Sequence, residues 1–220
     1  MMKPIIGIVS SINKSDNITV NDACVLAIEK SGGEPIALVT KQDDIIGNNI
    51  LNMCDGFLFQ GGYKMEDYQL KILEYAYKNK KPILGICLGI QLIATFFEGF
   101  GCLSRVADID IKVDINHNPH ESIENKSFLA HKIYIDSNSF MYSLFGPEMM
   151  VNSRHIKAVT KVNKPFIVSA KAEDGIIEAI EYIDKENYIV GMQFHPEDIP
   201  ELKPIFDDFV QRINLNKKSM

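Results

Sequence analysis

Pro82-Ile83-Leu84-Gly85-Ile86-Cys87-Leu88-Gly89-Ile90-Gln91 reads as a buried strand, a sharp turn with a thiol at its apex, and the start of a helix. Glycines two residues before and two after Cys87 give the spacing of a nucleophile elbow, G-x-S-x-G, with sulfur in place of oxygen. The apex residue of such a turn is strained, so strand and helix can pack only if the flanking side chains are almost absent. A thiol at that apex points into a cleft where the first unpaired N–H groups of a helix favour negative charge. That setting suits a reactive thiolate, and Cys87 is the candidate nucleophile.

On either side of the elbow, apolar runs alternate with helical patterns. Residues 5–9 form a first run, and residues 21–31 place Ala23, Leu26, Ala27 and Lys30 at helical spacing before Gly32-Gly33. Extended structure resumes over 34–39. A buried strand over 55–60 is broken by Gly61-Gly62, a helix is expected over 65–79, and the elbow helix continues over 90–97. Runs apolar on both faces, alternating with helices, predict a mostly parallel sheet covered on both sides. Chemistry in such sheets gathers at the carboxyl ends of the strands, where Gly61-Gly62 and Cys87 both lie. The second half alternates instead, over 108–118, 131–135, 166–170 and 176–180, with turn residues at 173–175 and 184–187 that predict hairpins. A last buried strand over 188–194, a closing helix over 200–213 and a polar, frayed tail over 214–220 complete the chain. The expected fold is one α/β domain over 1–213, three-layered, with a mostly parallel central sheet, helices on both faces and a small antiparallel appendage.

Composition removes several function classes. The formal charge is −6 with no Lys/Arg cluster, which excludes the phosphate neutralisation that drives nucleic-acid binding. No apolar run approaches the roughly 20 residues that span a bilayer, and no leader is read at the start. Cys24, Cys54, Cys87 and Cys102 form no C-x-x-C pair, so a reduced cytoplasmic protein with three inert thiols is expected.

A thiolate nucleophile needs a base, and the base needs an orienting acceptor. Gly191-Met192-Gln193-Phe194-His195-Pro196-Glu197 ends the last buried strand with a histidine to take the thiol proton and a glutamate to orient it. The segments Asp55-Gly56-Phe57-Leu58-Phe59-Gln60-Gly61-Gly62, Gly85 to Gln91 and Gly191 to Glu197, in that order, resemble the class I glutamine amidotransferase superfamily, whose fold is flavodoxin-like. Within it the chain is most similar to the γ-glutamyl-γ-aminobutyrate hydrolase, or peptidase C26, branch. Val20-Asn21-Asp22-Ala23, Val151-Asn152-Ser153-Arg154-His155 and Ala172-Glu173-Asp174-Gly175-Ile176-Ile177-Glu178-Ala179-Ile180 favour that branch.

The resemblance implies a catalytic triad of Cys87, His195 and Glu197. It implies an oxyanion hole from the N–H of Leu88 and the turn at Gly61 and Gly62, and a place for Gln91 beside the glutamyl part. Ser153 and His155 are read either as shaping the pocket for the amine half or as loop caps. Two features depart from the branch. Tyr63-Lys64-Met65-Glu66-Asp67 runs almost directly from Gly62 into a helix where a longer loop is usual, and Leu88 stands where many of the hydrolases carry arginine.

The expected function is cysteine-dependent hydrolysis of a γ-glutamyl amide through a γ-glutamyl thioester, with no cofactor. The alternatives are a glutaminase subunit passing ammonia to a synthase partner, and a non-catalytic binding module. A γ-glutamyl small molecule is the expected substrate; a second copy of the chain and a synthase both stay open as partners. His131 reads as a structural histidine, and His117 and His120 as residues of an exposed loop. No metal site is expected, because no acidic or cysteine ligand stands at suitable spacing from them.

Overall fold

The computed structural model describes residues 2–40, 48–110, 113, 115–184 and 187–219. Its first half runs β1 (Ile5–Val9), β2 (Ser11–Ile12), β3 (Ile18–Thr19), α1 (Asp22–Lys30), β4 (Glu34–Leu38), α2 (Asn48–Met53), β5 (Gly56–Phe59), α3 (Asp67–Lys78), β6 (Ile83–Ile86) and α4 (Leu88–Glu98). Then come β7 (Leu103–Arg105), α5 (His120–Glu124), β8 (His131–Ile135), α6 (Phe140–Phe145), β9 (Glu148–Val151), β10 (Lys157–Val159), β11 (Phe166–Ala172), β12 (Ile177–Tyr182), β13 (Ile189–Met192) and α7 (Lys203–Ser219).

Nine strands form one sheet in the order β4-β1-β5-β6-β13-β12-β11-β8-β9. The first five are parallel and the remaining pairings antiparallel, so the predicted appendage is a continuation of the main sheet rather than a separate layer. The central strands are apolar on both faces because each face has its own core. Ile6, Ile8, Leu58, Leu84 and Ile86 pack with Ile28 of α1 and with Phe206, Phe209 and Ile213 of α7. Val9, Phe57, Phe59 and Ile83 pack with Ile72 and Leu73 of α3 and with Ile90 and Ile93 of α4. Burying each such side chain contributes about 1.5–3 kcal/mol, so the two layers of helices hold the parallel half rigidly. Among the described residues, no helix is long and apolar enough to cross a membrane.

Two expectations are corrected. The alternation over 108–118 does not form a strand in its described part. A 3-10 turn occupies Val106–Asp108, and Ile109 and Ile115 instead pad a small cluster around Ala158, Ala172 and Ile176. Just before this stretch, β7 pairs with β10 in a separate two-stranded sheet. Residues 111, 112 and 114 of that stretch, and 185 and 186 of the 184–187 turn, lie outside the described residues. The tail is not frayed: α7 continues to Ser219, with Asn216 Nδ2 donating to Lys80 O at 2.9 Å and Lys217 Nζ 2.7 Å from Asp55 Oδ2.

Candidate active site

The elbow forms where strand β6 meets helix α4. Cys87 takes φ 52° and ψ −97°, a backbone region that L residues avoid, which costs about 1–3 kcal/mol and persists only where the surroundings impose it. They do so here. Cys87 N–H donates to Met192 O at 2.7 Å, extending the β6–β13 ladder one step beyond β6. A Cβ on Gly89 would stand 2.2 Å from Phe59 O, and one on Gly85 2.7 Å from the Gly89 carbonyl carbon. Only glycine lets the helix start lie this close to β5.

The β6–β13 pairing also delivers the histidine. Three residues past β13, His195 opens a 3-10 turn, Pro196–Asp198, that puts His195 and Glu197 on the same side. His195 Nδ1 lies 2.8 Å from Glu197 Oε1, and the ring sits beside Cys87, close enough for the two to interact electrostatically. Gly61 completes the enclosure, because a Cβ there would stand 2.8 Å from His195 Cε1 and 3.5 Å from Cys87 Cβ. Gly62 packs as tightly against Ser11 and Leu88. The turn after it is pinned by a bridge between Ile12 and Lys64 and by a capping box between Glu66 and Gln69, which starts α3 at Asp67.

Burial works against charge on His195, but the Glu197 carboxylate and the Cys87 thiol outweigh it and raise its pKa to about 10. For Glu197, burial pushes the carboxyl up and the neighbouring His195 pulls it below its ordinary value, with the second effect larger. A raised histidine stabilises the fold fully below its unfolded value, about 6.5, and loses that contribution as pH rises through about 10. The lowered glutamate contributes above about 4.3 and loses its share as pH falls through its folded value. The expected outcome is that wild-type unfolding midpoints in urea drop between about pH 7 and 10.5 more than those of Glu197→Gln. Equal drops in the two proteins would contradict the pairing. The other thiols are unsuited to attack: burial raises Cys24 well above its ordinary value, Cys54 to about 11, and Cys102 upward.

Two residues not singled out from the sequence hold this arrangement. Asn152 clasps the main chain of His195, accepting from its N–H at 2.8 Å and donating to its O at 2.9 Å. Asn21 caps α1 through Ala23 N at 3.1 Å and donates to Glu197 Oε1 at 3.2 Å. Its own N–H is held by Gln60 Oε1 at 2.7 Å. An asparagine just before a helix was the available sign of a cap; the contact with Glu197, 176 residues away in sequence, had none.

The expected substrate-side residues fare differently. Gln91 is buried on α4, and its amide donates to Lys157 O at 3.1 Å and Gln193 Oε1 at 3.2 Å, so its nitrogen is spent on β10 and the end of β13. Ser153 and His155, read either as shaping the amine pocket or as loop caps, are both buried and turned inward. Ser153 Oγ donates to His117 O at 2.7 Å. His155 joins His117, His131 and Glu178 in a buried cluster. His117 is 3% exposed rather than on an open loop, and an acidic partner is present after all, supplied across the sheet by β12.

Parallel strands with the elbow at their carboxyl ends and a histidine–glutamate turn beside it define a class I glutamine amidotransferase-like fold. The profile of the Peptidase C26 family matches residues 4–69 and 64–197, and the chain belongs to that family, a branch of the class I glutamine amidotransferase superfamily. A glutamine amidotransferase-like protein of Rickettsia prowazekii is 28% identical, covering 89% of this chain and 91% of its own length. Anthranilate synthase component 2 of Lactococcus lactis is 30% identical over 84% of this chain and 86% of its own. Among solved structures, the glutaminase domain of Trypanosoma brucei CTPS with bound acivicin shares the fold with a TM-score of 0.71. It is 17% identical and covers 97% of this chain and 94% of its own.

Proposed function

We propose that the protein hydrolyses a γ-glutamyl amide through a γ-glutamyl thioester on Cys87, with His195 and Glu197 completing a triad. The reading rests on one observation above all: a strained thiol at an elbow, beside an imidazole that a buried carboxylate orients. The thiolate attacks the amide carbonyl, and the new oxyanion is held by the N–H of Leu88 and the turn at Gly61 and Gly62. Its collapse breaks the C–N bond as the His195 imidazolium gives its proton to the departing amine. Water then attacks the thioester and yields its proton to His195, which releases glutamate and restores the thiol. No bound cofactor enters this sequence.

The second reading is a glutaminase subunit that passes ammonia to a synthase partner. The tight turn between Gly62 and α3, with Leu88 beside it, favours this reading. So does the similarity to a protein named as one component of anthranilate synthase. Glutamate release by the purified chain alone separates the two. A γ-glutamyl amine such as γ-glutamyl-γ-aminobutyrate is expected to be cleaved with at least about tenfold higher kcat/KM than glutamine, a difference of ~1.4 kcal/mol in transition-state binding. Glutaminase activity that emerges only when a partner protein is added would overturn the hydrolase.

A further inference from the structure

Four buried side chains that the proposed hydrolysis does not use converge beyond Asn152. His117 precedes α5, His131 opens β8, His155 lies between β9 and β10, and Glu178 sits on β12. One nitrogen or oxygen from each lies within 4.8 Å of all the others. Glu178 Oε1 stands 3.4 Å from His117 Nδ1, 3.5 Å from His155 Nε2 and 3.6 Å from His131 Nε2. Those separations are long for hydrogen bonds. They match the roughly 3.3 Å between neighbouring ligands of a tetrahedral ion whose bonds are about 2.0–2.1 Å.

The hydrogen bonding points the same way. Among the described residues, these four inward atoms and Glu178 Oε2 have no hydrogen-bond partner, although Glu178 is fully buried. Buried polar atoms left in that condition are rare and call for a missing partner. The outward nitrogens, by contrast, are all engaged. His117 Nε2 donates to Asp174 Oδ2 at 2.7 Å, His155 Nδ1 to Lys157 O at 3.1 Å, and His131 Nδ1 to Lys132 O at 3.3 Å. With its proton on the outer nitrogen, each ring turns a lone pair inward, which is how metal-binding histidines are held.

We propose that His117, His131, His155 and Glu178 form a structural site for one divalent cation, with Zn²⁺ the matched ion. Three imidazoles exclude the hard, oxygen-seeking Ca²⁺ and Mg²⁺, and a closed set of four protein ligands is the usual structural zinc arrangement. Glu178 in contact and Asp174 one hydrogen bond away supply two negative charges, which neutralise the ion in a buried place. In the other grouping of this kind among the described residues, His195 is paired with Glu197 in the candidate triad and Asp198 with Arg154, so the imidazole is already committed. The zinc site would tie together four segments of the antiparallel half, including the link that carries Asn152 to the His195 backbone.

Metal analysis of the full-length chain, purified without a metal-affinity tag from zinc-replete cells, tests this. About one zinc per chain is expected, together with uptake of one Zn²⁺ by chelator-stripped protein and a higher thermal midpoint on reloading. Co²⁺ in its place should give the intense visible bands of a tetrahedral centre. Asp174→Asn keeps all four ligands and should weaken Zn²⁺ binding about 10–100-fold. His131→Ala, checked for native circular dichroism, should lose it, and Cys87→Ala should retain it. Chelator-stripped wild type that takes up no Zn²⁺ would overturn the site. So would uptake of equal affinity in folded His131→Ala, or uptake that disappears with Cys87.

Discussion

Cys87→Ala is expected to lower hydrolysis of the proposed γ-glutamyl amide by on the order of 10⁴-fold or more, while moving the unfolding free energy by less than about 1 kcal/mol. The two halves of that result come from different parts of the structure. The backbone at Cys87 is held by Met192 O and by the glycines on either side, none of which involves sulfur. In the proposed hydrolysis the thiol contributes chemistry instead, since covalent capture splits one difficult reaction into two easier steps. What remains in the alanine variant is binding and oxyanion stabilisation, which in comparable triads leave only a small residue of activity. Steady-state glutamate release together with urea unfolding reads both quantities. Activity within tenfold of wild type would remove Cys87 from the reaction.

Gly89→Ala is expected to destabilise the protein by about 3 kcal/mol or more, or to prevent folding outright. Helix propensity alone predicts a gain of about 1 kcal/mol from this change, so the sign decides between local and tertiary control. The new methyl would lie 2.2 Å from Phe59 O, main chain in the middle of a buried parallel sheet, with no flexible atom to give way. Gly101→Ala is the control, since a Cβ there meets nothing within 4 Å. Similar unfolding midpoints for the two variants would show that the elbow does not need its glycine.

How much of this was legible in the sequence follows from how far apart the interacting parts lie. The elbow announces itself locally, because both its glycines answer a contact made within a few residues or with the adjoining strand. The His-Pro-Glu turn was legible as a partner because strand β13 pairs with β6, as a last buried run in a parallel sheet should. Alternation misled in the described part of 108–118, where Ile109 and Ile115 pack toward Ala158 and Ala172 outside the described strands. The polar end of α7 looked frayed because its anchors, Lys80 and Asp55, lie far earlier in the chain. Ser153 and His155 were read as pocket residues or as loop caps, and the fold turns them toward His117 and Glu178. That cluster draws on segments from 117 to 178, so no spacing rule could gather it.

Labelling with a glutamine-like diazoketone at neutral pH tests the central claim most directly. The account predicts one label per chain, found by peptide mass analysis on Cys87, with hydrolysis lost in step and a γ-glutamyl amide slowing the labelling. Cys24, Cys54 and Cys102 stay unlabelled, because burial holds all three as neutral thiols. Preferential labelling of any of those three, or loss of activity without label on Cys87, would contradict it.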